Sequence, residues 1–197
     1  IPRSSPVQVP GTSWTTKFAA GAQVRYAIRS DNTLWSWGSN SYGIGGWSGS
    51  PAATPDNGKY SSPAQIPGTN WASVSASNQP NGSRFFAMAT KTDGTLWTWG
   101  GNGIGELGQN EGSGNDKKAR SSPTQVPGTN WDTGMDKIYC DGAVAFAIKT
   151  DGTLWGWGRN DYGQTGSNDK VNRSSPKQVG TDTTWNYINQ YGLTTIG

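Results

Sequence analysis

The stretch Asp93-Gly94-Thr95-Leu96-Trp97-Thr98-Trp99-Gly100 returns as Asp151-Gly152-Thr153-Leu154-Trp155-Gly156-Trp157-Gly158, and as Asp31-Asn32-Thr33-Leu34-Trp35-Ser36-Trp37-Gly38. Asp-Gly and Asp-Asn tolerate positive φ, so each pair predicts the tip of a β-hairpin, with a type I′ turn as the expected geometry. The strand before the tip alternates, placing Val144, Phe146 and Ile148 on one face and Ala143, Ala145 and Ala147 on the other. After the tip, Leu96 and Thr98 fall on one face and Trp97 and Trp99 on the other.

Outward from the hairpin the repeat continues. Ser-Ser-Pro recurs at Ser4, Ser61, Ser121 and Ser174, and a tryptophan follows each time at Trp14, Trp71, Trp131 and Trp185. Counting the Ser-Pro-x-Gln strand and the strand near that tryptophan, each unit holds four strands. The units run 1–60, 61–120 and 121–173, with a partial fourth over 174–197. No segment has a helical period. A four-stranded antiparallel unit cannot bury both faces alone, and radial stacking of such units into a β-propeller solves this. The fold class expected is therefore all-β: three complete blades and a truncated fourth within one propeller domain.

Composition agrees. Only 31% of the 197 residues are hydrophobic, while glycine (29) and tryptophan (11) are over-used. Many tight turns and a few large aromatic side chains must then supply the core. The formal charge is +3, with the only dense basic cluster at Lys117, Lys118 and Arg120, which predicts a solvated loop rather than a nucleic-acid stripe. Histidine is absent and Cys140 is alone, so the commonest general base and any internal disulfide are missing. No apolar run reaches the length of a membrane helix. The chain begins at Ile1, and a longer native polypeptide is expected.

The residues after each hairpin resemble the repeats of the regulator of chromosome condensation family. The match is Trp37-Gly38-Ser39-Asn40 with Gly43 and Gly46, Trp99-Gly100-Gly101-Asn102 with Gly105 and Gly108, and Trp157-Gly158-Arg159-Asn160 with Gly163 and Gly166. The resemblance implies a seven-bladed ring, completed by the rest of the native chain or by another chain. The histidine usual in that family is replaced by Val24, Phe86 and Val144. The Ser-Ser-Pro-x-Gln wording is similar to that of bacterial and marine-phage repeat proteins. That likeness implies a virion or extracellular location, with an intracellular one as the alternative.

Recurrence separates scaffold from site. Trp35, Trp37, Trp97, Trp99, Trp155 and Trp157 are expected to pack blade on blade, and Gly94 and Gly152 to make the turns. The variable segments after the Trp-Gly-x-Asn signature supply the candidate binding residues: Tyr42, Trp47, Tyr60, Glu106, Lys117, Lys118, Asp161 and Tyr162. Trp47 lies outside the repeat and has two roles open to it, a partner-binding anchor or a cover for the edge of the first unit. No zinc spacing, nucleophile elbow or phosphate loop is present, so no catalytic residue, metal or cofactor is expected. The function expected is a non-enzymatic structural or binding propeller of a phage particle or an adhesion module. Its partners would be structural proteins, a host-surface receptor or a glycan. The alternatives are an interaction propeller acting on a small GTPase or chromatin, and a glycan-processing enzyme.

Overall fold

The computed structural model describes residues 7–47, 58–78, 85–111 and 119–188. Among the described residues, twelve strands form three four-stranded antiparallel sheets. Blade 1 is β1 (Trp14–Ala20), β2 (Val24–Arg29), β3 (Leu34–Ser39) and β4 (Lys59–Gln65); blade 2 is β5 (Trp71–Ala76), β6 (Phe86–Lys91), β7 (Leu96–Gly100) and β8 (Arg120–Gln125). Blade 3 is β9 (Ile138–Asp141), β10 (Val144–Ile148), β11 (Leu154–Gly158) and β12 (Arg173–Gln178). This is the propeller architecture expected from the repeat.

The sheets are out of step with the sequence repeats by one strand. Ser61-Ser62-Pro63, which opens the second repeat, lies in β4 and completes the first sheet; Ser121 and Ser174 do the same in β8 and β12. The chain then crosses to the next blade within a few residues.

The hairpin tips are not type I′ turns. Positive φ occurs only at the second residue of each pair: Asn32 (58°), Gly94 (76°) and Gly152 (78°). The amides of these residues bond back to the carbonyls of Arg29, Lys91 and Lys149. The tip is therefore a three-residue loop closed by a left-handed residue. Its first turn is held by the aspartate, whose Oδ1 accepts the amide of the following threonine in all three copies at 3.0 Å.

Alternation along β2, β6 and β10 gives each blade two dissimilar faces. Val24, Tyr26, Ile28 and Leu34 of blade 1 meet Val74, Ala87, Ala89 and Trp99 of blade 2 in one buried cluster. Phe86, Met88 and Leu96 meet Ile138, Ala145, Ala147 and Trp157 in the next. Small alanines on one side leave room for the aromatic rings on the other, so adjoining blades interlock.

Candidate functional site

Most of the recurring polar chemistry is spent on the scaffold. At each hairpin tip an aspartate Oδ1 accepts the threonine hydroxyl, and that oxygen accepts the indole N–H of Trp35, Trp97 or Trp155. Asp31, Asp93 and Asp151 are held below the usual carboxylate range, first by the threonine hydroxyl and then by its amide. The same tryptophans, with Trp14, Trp71 and Trp131, clasp one cation per blade. Arg29 lies 4.0 and 4.6 Å from its two ring centroids, Lys91 4.4 and 4.9 Å, and Lys149 4.5 and 5.0 Å.

The inner tryptophans lock the seams. Trp99 Nε1 donates to the Ile44 carbonyl of blade 1 (2.9 Å), and Trp157 Nε1 to the Glu106 carbonyl of blade 2 (2.8 Å). The asparagines close the intervening loops, with Asn40, Asn102 and Asn160 Oδ1 accepting the amides of Gly45, Leu107 and Thr165.

These loops account for most of the candidate binding residues, and the structure redistributes them. Trp47 takes the covering role: its ring is 9% exposed, sits 4.3 Å from the Tyr60 ring and donates from Nε1 to the Ala64 carbonyl of β4. Gln109, seven residues after Asn102 as Trp47 is after Asn40, reaches the equivalent Thr124 carbonyl. Trp47 therefore does with an indole what an amide does in blade 2. Glu106 is fully buried, and its Oε2 accepts the Ile104 amide (2.7 Å). It belongs to the blade contact and cannot meet a partner. Burial inside the seam is the reason, and its place four residues after Asn102 was the available signal.

Tyr42 packs half-buried against the first seam. Tyr60 keeps an exposed edge. Asp161 and Tyr162 stay on the surface, with Asp161 paired to Arg159 (2.7 Å) and pushed down to about 2 by that pairing. Tyr162 is 78% exposed. Lys117 and Lys118 lie outside the described residues. The six candidates among the described residues are thus not brought together into one site.

A larger concave feature sits elsewhere among the described residues. The first strands of the blades, β1, β5 and β9, stand side by side and border a cleft of about 800 Å³. Its walls include Phe18, Ser75, Tyr139 and Tyr187, with Asp136 and Asp141 also lining it. Phe18 is 65% exposed there, whereas Val74 and Ile138 are buried in the seams. Burial, reinforced by Asp141 and Cys140, raises the Tyr139 phenol to about 12. Burial likewise raises Cys140 to about 12, so its thiol is not a nucleophile at neutral pH. Among the described residues no group of three or more acidic or cysteine side chains could hold a metal ion.

The cleft owes one wall to an insertion. Four extra residues separate Trp131 from Ile138 compared with Trp71 and Val74, and they lengthen the connection Asp132–Lys137 into a turn. Met135 from this turn packs against the first seam's cluster, and the Asp136 carbonyl accepts the Ile188 amide (2.7 Å). Lys137 Nζ turns away to the Asn186 carbonyl and to its Oδ1 (2.9 Å).

Three blades of this geometry, with their Asp-Thr-Trp relays, have a counterpart among known proteins: residues 151–187 match the Regulator of chromosome condensation (RCC1) repeat. The repeats of this chain are of the RCC1 type. The chain is 30% identical over 173 residues to the RCC1 domain-containing protein RUG3, mitochondrial, of Arabidopsis thaliana, covering 85% of this chain and 36% of that protein. It is 34% identical over 92 residues to the probable E3 ubiquitin-protein ligase HERC3 of Homo sapiens, covering 47% of this chain and 8% of that one. Human WBSCR16 superposes with a TM-score of 0.67 at 19% identity, covering 90% of this chain and 43% of that one. Prp20p from Saccharomyces cerevisiae, whose structure was described with its binding properties to Gsp1p and histones, gives 0.65 at 19%, covering 85% and 38%. The chain thus spans less than half the length of each of these proteins.

Proposed function

We propose that this chain is part of a non-enzymatic RCC1-type interaction propeller that binds a protein partner. The observation that carries the reading is the division of labour inside the blades. Repeated tryptophans, asparagines and aspartates are engaged in tips, loops and seams, while the axial cleft is lined by side chains that differ from blade to blade, such as Ala19, Ser75 and Tyr139 at matching register. Catalysis by Cys140 is disfavoured by its raised pKa, and the two carboxylates of the cleft, Asp136 and Asp141, stand roughly 10 Å or more apart on the strand rise, wider than the ~5–9.5 Å of a glycosidase pair. The likeness to Prp20p, described for its binding to Gsp1p and histones, supports the small-GTPase or chromatin alternative over the phage-particle or adhesion reading. On this reading the chain works inside a cell.

The test is direct binding of the purified chain to a nucleotide-free small GTPase and, separately, to core histones. Saturable binding of either is expected. Binding of neither, together with recovery at fixed stoichiometry among the structural proteins of a virus particle, would replace this reading with the virion one.

A further inference from the structure

We infer that the axial cleft receives a basic segment of the partner, its lysine or arginine stems lying along the aromatic walls and its charged heads reaching Asp136 and Asp141. The inference rests on the protein-binding reading above and adds where contact is made and with what chemistry.

Three observations on the cleft converge. First, its walls suit aliphatic stems: Phe18, Tyr139 and Tyr187 offer ring surface, and Ala19 and Ala76 line the space between. Long cationic side chains bury their methylenes on such surfaces while keeping the charge at a polar edge, and a ring face adds attraction for the charge itself. Second, its lining charges have one sign. Asp136 and Asp141 line it, and no lysine or arginine does among the described residues. Two cations beside lining residues are engaged elsewhere, Lys137 on Asn186, and Arg25, which pairs with Ala20 across β1 and β2, on the carbonyls of Gly21 and Val24. Third, the carboxylates flank β9, Asp136 just before Ile138 and Asp141 at its last residue. At ~3.3 Å per residue they stand roughly 10 Å or more apart along the wall. An extended chain brings every second side chain to one face at ~7 Å intervals, so cations spaced along one strand-like segment can address both.

Within this chain the arrangement is particular to blade 3. Asp136 arrives on the inserted turn, which the β1 and β5 entries lack. Asp141 ends β9, where its Oδ1 also accepts the Gly142 amide (2.8 Å), which fixes the carboxylate at the rim.

The test uses a fluorescein-labelled peptide of alternating lysine and glycine, with a glutamate-glycine peptide of equal length as control. Anisotropy titrations would be run on the full chain and on Asp136→Asn/Asp141→Asn and Phe18→Ala variants, each checked for an unchanged melting curve. The expected result is saturable binding of the lysine peptide alone, weakened about tenfold in the double asparagine variant and by a smaller factor in Phe18→Ala. Equal affinity of wild type and double variant, absence of binding to wild type, or preference for the glutamate peptide would each overturn the inference. If a GTPase or histone partner binds wild type and the double variant alike, the cleft assignment falls while the interaction reading stands. If no protein partner binds at all, that reading falls with it.

Discussion

At the residue scale the two environments of tryptophan can be told apart by substitution. Trp47 shares a face with Tyr60 and bonds β4, so Trp47→Ala should cost about 3–5 kcal/mol, as removing a large buried side chain does. Thermal melts should show Trp47→Ala and Trp97→Ala lowered by comparable amounts. A Trp47→Ala chain that melts like wild type would return Trp47 to the surface as a binding anchor. The tip aspartates make a second prediction, in pH. Because their folded pKa lies below the ordinary value of 3.8, they favour the folded state above that value and lose this as pH falls through the depressed one. A plot of melting temperature from pH 6 to pH 2 should fall at its acid end. The triple variant Thr33→Val, Thr95→Val and Thr153→Val removes the largest cause of the shift and should flatten that fall.

At the scale of the element, the loop glycines report whether a blade has a neighbour. A Cβ on Gly105 would come 2.7 Å from the backbone of Ser174 in β12, and one on Gly43 would come 2.5 Å from Ser121 in β8. Gly163 holds the same place in blade 3 and has nothing within 4 Å. All three have positive φ, so alanine costs about 1–3 kcal/mol at each for conformation alone. Gly105→Ala adds overpacking, typically about 1–3 kcal/mol more. Urea unfolding should therefore rank Gly105→Ala well below Gly163→Ala, and equal losses would mean the loop does not rest on the next blade. This contact was out of reach of the sequence, where Gly43, Gly105 and Gly163 are simply three equal members of a motif. The strands themselves were legible because Val-x-Phe-x-Ile and Leu-Trp-x-Trp alternate with a period of two. The turn type was not, since Asp-Gly suits both tip geometries and the aspartate's own backbone, which here does not take a positive φ, decides between them.

Across the whole molecule the seams are quasi-equivalent, and their hydrogen bonds can be compared in place. Trp99→Phe and Trp157→Phe each delete one inter-blade bond, worth about 1 kcal/mol. Trp37 is the matching residue of blade 1, and its indole N–H has no acceptor among the described residues. Trp37→Phe should stay within about 0.5 kcal/mol of wild type by calorimetry. The candidate site was hidden from the sequence for a related reason. Phe18, Asp136, Asp141 and Tyr187 fall in three different units and approach one another only when the inner strands are set around an axis. Variable loops drew the eye to Trp47 and Glu106, yet a loop can vary in wording while keeping one structural task, as Trp47 and Gln109 do.

The one-strand offset between repeat and blade has a consequence for how this architecture can lengthen or shorten. Each described Ser-Ser-Pro strand is the outermost member of one sheet, and from β4 and β8 the chain runs on to the innermost strand of the next, β5 and β9. A gain or loss of one whole repeat therefore never carries a finished blade. It contributes one strand to the blade behind and three to the blade ahead, and a blade is restored only where the two cut ends meet in register. Duplication events that keep the repeat length intact leave every sheet four strands wide, whereas a breakpoint elsewhere strands an edge. Selection for intact sheets thus acts on where the gene can recombine, and it would preserve the near-identical wording of the Ser-Ser-Pro crossover even where no ligand touches it.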